Sequence, residues 1–124
     1  MNPRTIDDND VVALYLAFSD GTGGKRRPIL IVKNNHGLID FMSITSQYTN
    51  KSSYIKRQYY PIQNWQSLGL FKPSYIDIAS INRAKLSDLQ KLGEIHYIGQ
   101  LSYSDTLGLR AFVTSYLKEK GLAN

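Results

Sequence analysis

Apolar residues arrive along this chain in short runs separated by glycine, asparagine and proline, a rhythm of strands and turns. Residues 11–18 (VVALYLAF) are continuously apolar and rich in β-branched and aromatic side chains, which predicts a buried strand. Ser19-Asp20-Gly21-Thr22-Gly23-Gly24 stops it, since so many glycines favour a turn over strand or helix. Pro28 then opens a second apolar run over residues 29–32, tolerated at a strand start because only an N–H is lost. Asn34-Asn35-His36-Gly37 is a turn of the kind that joins antiparallel strands. Residues 38–45 (LIDFMSIT) alternate more clearly and predict a third strand. Three strands joined by short turns make an antiparallel meander.

Residues 47–57 (QYTNKSSYIKR) carry no apolar period and predict a loop, of a length uncommon in a compact domain unless it has a task. Tyr59-Tyr60-Pro61-Ile62 reads as a short fourth strand, and Asn64-Trp65-Gln66-Ser67-Leu68 as one helical turn closed by Gly69. Residues 75–81 (YIDIASI) alternate apolar and polar, a half-buried strand. Residues 87–92 predict another helical turn with Ser87 as N-cap, and residues 95–101 (IHYIGQL) a last strand. The clearest helix is C-terminal. Ser102 with Asp105 resembles a capping box, and Leu109, Phe112, Val113, Tyr116 and Leu117 recur on one face. Lys118 and Lys120 suit the negative end of the helix dipole, and Gly121 ends it. The fold class expected is mainly β, a β-rich α+β domain: a strongly bent sheet or small barrel with a terminal helix packed on it. It spans residues 1–124 as one domain, with 1–9 as a polar tail.

The chain's 124 residues fit a single domain, and a hydrophobic fraction of 42% is enough for one real core. Cysteine is absent, which removes disulfides and thiolate metal sites and makes a reducing cytosol the natural setting. The acidic start, with Asp7, Asp8 and Asp10, is unlike a secretory signal, and no stretch approaches the ~20 apolar residues of a membrane span. A soluble, cytoplasmic protein without membrane contact is expected. The formal net charge of +5 attracts nucleic acid, anionic membrane or acidic protein, unless it serves solubility alone. Its placement is uneven: Lys25, Arg26 and Arg27 are consecutive, and Lys51, Lys56 and Arg57 cluster among tyrosines and serines.

Most catalytic chemistries lack their residues. His36 and His96 are the only histidines, one in a predicted turn and one in a predicted strand, and no metal-ligand spacing accompanies them. No metal and no cofactor is expected. There is no GxSxG elbow, and the glycines before Lys25 lack the P-loop pattern and lead into a strand. An arginine site remains. Arg27 precedes Pro28 at the junction of a glycine turn and a buried strand, and its planar fork suits a phosphate or a phosphorane-like transition state. Thr45 ends the third strand, and pairing through the Asn34–Gly37 turn brings that end near Arg27. On pattern alone, a surface arginine and a threonine chosen for strand propensity account for the same residues.

The succession VVALYLAF, a glycine-containing turn, Arg27-Pro28-Ile29-Leu30-Ile31-Val32, then Ile44-Thr45-Ser46-Gln47 resembles the MazF/PemK endoribonuclease toxins. Leu68-Gly69-Leu70, Lys72-Pro73-Ser74 and Ile98-Gly99-Gln100-Leu101-Ser102 extend the likeness, which covers about residues 10–118. The resemblance implies an SH3-like or CcdB-like barrel forming a twofold homodimer. It implies the toxin of a type II toxin–antitoxin system that cuts single-stranded RNA or mRNA without metal. In that chemistry the RNA's 2′-OH attacks the adjacent phosphate, leaving a 2′,3′-cyclic phosphate and a 5′-OH end. Carried over by position, Arg27 and Thr45 form the catalytic pair. Many family members carry Ser-Glu-Gln in the first loop; this chain has no acid at the matching place, so Asp20, a few residues earlier, and Ser46 are the auxiliary candidates. A cognate antitoxin with an acidic, partly disordered C-terminal tail is the implied protein partner.

RNA recognition is expected from Gly24, Lys25 and Arg26 of the basic turn and from Gln47, Tyr48, Lys51, Tyr54, Lys56 and Arg57, where aromatics and cations interleave. A solvated polar loop is the alternative for that segment. Trp65, Leu68 and Phe71 are assigned to the core or a dimer interface. Two other functions compete with the ribonuclease: a CcdB-like poison of DNA gyrase, disfavoured by Arg27-Pro28, Thr45-x-Gln47 and a C-terminus lacking an aromatic residue, and a non-catalytic SH3-like module that binds nucleic acid.

Overall fold

The apolar runs predicted as strands do pair, and they form one antiparallel sheet. A computed structural model describes residues 5–17 and 19–121. Its strands are β1 (Asp10–Ala17), β2 (Gly24–Asn35), β3 (Leu38–Thr45), β4 (Tyr59–Pro61), β5 (Tyr75–Lys85) and β6 (His96–Gln100), in the sheet order β4-β5-β3-β2-β1-β6. Four helices complete it: α1 (Ser53–Lys56), α2 (Trp65–Leu68), α3 (Leu86–Leu92) and α4 (Tyr103–Glu119). Phe18, predicted as the last residue of the first strand, lies outside the described residues, as do residues 1–4 of the N-terminal tail and the C-terminal residues 122–124.

β1 and β2 read as unbroken apolar runs because both faces of the sheet are covered. Val11, Leu30, Met42 and Ile44 join one core with Tyr60, Ile62, Ile76 and Leu101, and the apolar stripe of α4 packs against it through Leu109, Phe112, Val113 and Tyr116. Val12, Leu14, Ile29, Ile31 and Ile39 point the other way and meet Leu89 of α3. Register shifts between Val11 and Val12, Ile31 and Lys33, and Met42 and Ile44 interrupt the ladders and bend the sheet, which is how one sheet supplies two cores. The β2–β3 hairpin closes through His36 and Gly37, both at positive φ (53° and 90°) as a two-residue turn requires.

Several boundaries differ from expectation for identifiable reasons. β2 starts at Gly24 rather than at Pro28, because Gly24, Lys25, Arg26 and Arg27 pair with Ala17, Leu16, Tyr15 and Leu14 of β1. Pro28 therefore lies inside the strand, opposite Ala13. It is accommodated where pairing with β3 has not yet begun, the first β2–β3 pair being Ile29 with Ser43. The segment 47–57 is not all loop: Ser52 Oγ accepts the Ile55 N–H at 3.2 Å and caps the one-turn α1, too short to show a period. β5 continues four residues past Ile81 because β3 pairs with it to Lys85. α3 begins at Leu86, and Lys85 rather than Ser87 occupies its N-cap, without a side-chain cap bond. At α4, Ser102 Oγ accepts the Asp105 N–H at 3.1 Å, the cap that the sequence announces.

Candidate nucleic-acid cleft

Past the Ile29–Ser43 pair, β2 and β3 separate while still running antiparallel. Two residues back along β2 is Arg27, and two residues on along β3 is Thr45, so the two face each other across the opening. Both line one cleft of about 330 Å³ and a second of about 320 Å³, and thus stand at their shared boundary. The second is largely apolar, with Leu14, Ile29, Phe41 and Leu89 in its wall. The first takes Lys25, Arg26 and Arg27 from β2, Thr45, Ser46 and Gln47 from the end of β3, and Phe71, Lys72 and Ser74 from the α2–β5 connection.

Among the described residues, no carboxylate and no histidine lines that first cleft. Its four cations, Lys25, Arg26, Arg27 and Lys72, make no ion pair among the described residues; the pairs there are Arg57–Glu119, Arg83–Asp40, Lys91–Asp88 and His96–Glu94. Four cations with no ion-pair partner among the described residues, set around a hydroxyl, offer charge and donors suited to an anion. Thr45 Oγ1 accepts the Gln47 N–H at 3.0 Å, which bends the chain out of the strand and leaves the hydroxyl proton to be donated elsewhere. Tyr75, the partner of Thr45 on β5, carries Tyr48 stacked on it at 4.1 Å between centroids and 10° between planes.

The expected recognition residues divide. Lys25, Arg26, Gln47 and Ser46 line the cleft, and Gly24 precedes Lys25 as the first residue of β2. The others are engaged within the protein. Tyr48 is stacked on Tyr75 and has Lys56 Nζ 4.9 Å from its ring centroid. Lys51 is half-buried, and its backbone N–H donates to the Tyr48 carbonyl at 3.0 Å, a bond that leaves its ammonium uncommitted. Lys120 of the α4 C-cap donates to the Tyr54 hydroxyl at 2.7 Å, and that bond, with the ammonium's charge, holds the phenol below its ordinary pKa. Arg57 pairs with Glu119 at 2.7 Å, which raises its own pKa. The basic tyrosine-rich segment is thereby tied through α1 to the end of α4. None of its residues from Tyr48 to Arg57 lines the cleft.

Asp20 is also elsewhere. Its Oδ1 accepts from the Thr22 hydroxyl at 2.7 Å and the Thr22 N–H at 3.0 Å, bonds that lower its pKa and spend it on its own turn. His36 occupies the hairpin turn, and His96 Nε2 lies 3.6 Å from Glu94 Oε2. Among the described residues no group of three or more His, Cys, Asp or Glu is gathered as metal ligands would be. Phe71 is not core: it is 97% exposed and lines the cleft. Leu68 is buried as expected, and Trp65 packs against the larger core. Phe71, Lys72 and Ser74, together with Leu70, Pro28 and Ile44, line the cleft but were not among the expected site residues. The proline after Lys72 was the available signal for the first three, since it stiffens the segment that presents them.

No family model matches the chain, and no curated protein does. Solved structures do. A structure described as MazE-MazF (Form-II) from Deinococcus radiodurans is similar at a TM-score of 0.66 and 15% identity, over 94% of this chain and 98% of that one. MazF (Form-I) from the same organism is similar at a TM-score of 0.61 and 16% identity, over 94% and 99% of the two chains. At such low identity over nearly complete lengths, backbone architecture is what the proteins share, and this chain has the MazF fold.

Proposed function

We propose that this chain is a toxin endoribonuclease that cuts single-stranded RNA in the cleft between Arg27 and Thr45. The observation that carries this reading is the cleft's composition: four cations and a threonine hydroxyl, with no carboxylate or histidine among the described residues, at the end of the sheet where β2 and β3 part. The phosphodiester is anionic and gains charge on its nonbridging oxygens as it becomes pentacoordinate, so donors placed beforehand favour the transition state over the ground state. Arg27 supplies a planar fork of charged donors. Thr45 donates its hydroxyl proton to the phosphate and holds it in line. The neighbouring 2′-oxygen forms the new bond to phosphorus and the bond to the 5′-oxygen breaks. The 2′-OH proton passes to solvent hydroxide, and the leaving oxygen takes a proton from Arg27 or water. The products are a 2′,3′-cyclic phosphate and a 5′-OH, with no step assigned to a metal.

The MazE-MazF structure of the same fold supports an antitoxin as protein partner, and four cations in the cleft suit an acidic one. Such a chain would compete with RNA for the same four cations, and a homodimer would present two such clefts. Cleavage of a defined RNA by Arg27→Ala and Thr45→Val tests the assignment. Arg27→Ala is expected to lower kcat by about 10²–10³-fold, and Thr45→Val, which keeps the branched shape, by about 10–100-fold. Unaltered rates in both folded variants would move the chemistry out of this cleft.

A further inference from the structure

Phe71 leaves 97% of its surface in water on the rim of the cationic cleft. One exposed aromatic ring is ordinary; this one is also rigidly presented. Leu70 packs against the larger core and donates its N–H to the Trp65 carbonyl at 3.1 Å. On the other side Ser74 is buried, its hydroxyl donates to the Lys72 carbonyl at 2.8 Å, and its carbonyl receives the Ile62 N–H at 3.0 Å. Pro73 fixes the backbone between them. The ring is thus anchored at both ends of its segment, and among the described residues it has no aromatic or cationic partner. Tyr48 and Tyr54, by contrast, are already covered by Tyr75 and Lys120.

An aromatic face held open beside four cations that make no ion pair among the described residues fits a ligand that carries flat rings on a polyanionic backbone. We propose that Phe71 is a stacking platform for a base of the single-stranded RNA, next to the phosphate between Arg27 and Thr45. The inference rests on the ribonuclease reading of that cleft and extends it to the path of the strand. Stacking accepts any base, so Phe71 sets where the strand lies, and the choice of sequence falls to hydrogen-bonding groups such as Gln47 and Ser46. A second copy of this chain fits the rim less well, because it carries net positive charge itself.

The test is binding of a labelled, 2′-O-methylated single-stranded RNA to the wild type and to Phe71→Ala, Phe71→Leu and Phe71→Trp, with sedimentation of each protein and cleavage of the unmodified RNA alongside. Removing the π-face should weaken binding by roughly 5- to 100-fold in both Ala and Leu variants. Trp should retain binding and lose emission when RNA is added. The sedimenting mass should stay that of the wild type. Equal binding by wild type, Ala and Leu overturns the proposal. So does a mass that drops in Phe71→Ala, which would assign the ring to contact between copies. Phe71-dependent binding without cleavage would keep the platform and sink the ribonuclease reading, whereas cleavage indifferent to Phe71 would do the reverse. Absence of any binding by the wild type overturns both.

Discussion

Arg27 owes its position to a strand that runs on after its second neighbour has left. From Gly24 to Pro28, β2 is held by β1 alone, so the side chains there open towards the gap beside Thr45. The absence of a carboxylate or imidazole from the first cleft among the described residues has a kinetic consequence. With no carboxylate or imidazole among the described residues there to take the 2′-OH proton, hydroxide does. The cleavage rate is therefore expected to rise about tenfold per pH unit between roughly pH 6 and 8, without the bell shape of a paired acid and base. A plateau or a bell in a pH–rate profile of kcat would reveal a titrating side chain and refute that route. The pairing of Arg27 with Thr45 was legible because a hairpin's register follows from its turn, and Asn34 to Gly37 is a readable turn. Phe71 and Lys72 were not legible. They reach the cleft from the α2–β5 connection, and that approach is a tertiary event no local pattern encodes.

Among the elements, α4 shows how a polar residue can fix a helix on a sheet. Asp105 is 1% exposed and accepts from Tyr60 Oη at 2.7 Å, the Gln63 N–H at 2.8 Å and the Asn64 N–H at 2.9 Å, so it joins β4 and the turn after it to the start of α4. Burial alone would raise its pKa, but these bonds and one from Ser102 outweigh that and lower it. Gly108 lets the helix approach: a Cβ there would lie 2.5 Å from the same Tyr60 Oη. Alanine inside a helix ordinarily stabilises by about 0.5–1 kcal/mol over glycine. At Gly108 the sign should reverse, with a loss of about 1–3 kcal/mol from overpacking against a tyrosine that its carboxylate holds in place. Urea unfolding of Gly108→Ala checks this, and a midpoint at or above that of wild type would show that the contact yields. The helix itself was written in the sequence by its cap and its apolar stripe. Its partner across the interface was not, since Tyr60 and Asp105 are 45 residues apart.

At the scale of the whole molecule, a net charge of +5 is divided between two kinds of place. Arg57 and Lys120 are committed to Glu119 and Tyr54, whereas Lys25, Arg26, Arg27 and Lys72 line the cleft and make no ion pair among the described residues. Composition counts the cations but cannot say which are paired, and in the fold Arg57 and Lys120 tie the tyrosine-rich segment to the end of α4. Salt dependence separates the two groups, because each phosphate contact to a single strand contributes about 0.7 to the slope of log K against log salt. Lys72→Ala should reduce that slope by about 0.7, and Arg57→Ala should leave it unchanged. The opposite pattern would return RNA binding to the α1 segment. The most direct measurement for the account as a whole is mass analysis of the ends produced when the purified protein meets a long single-stranded RNA in excess EDTA, beside the same RNA with one 2′-deoxy residue at the cut site. Fragments ending in 2′,3′-cyclic phosphate and 5′-OH, with no cut at the 2′-deoxy residue, are the predicted result; intact RNA, or cleavage that survives loss of the 2′-OH, would contradict it.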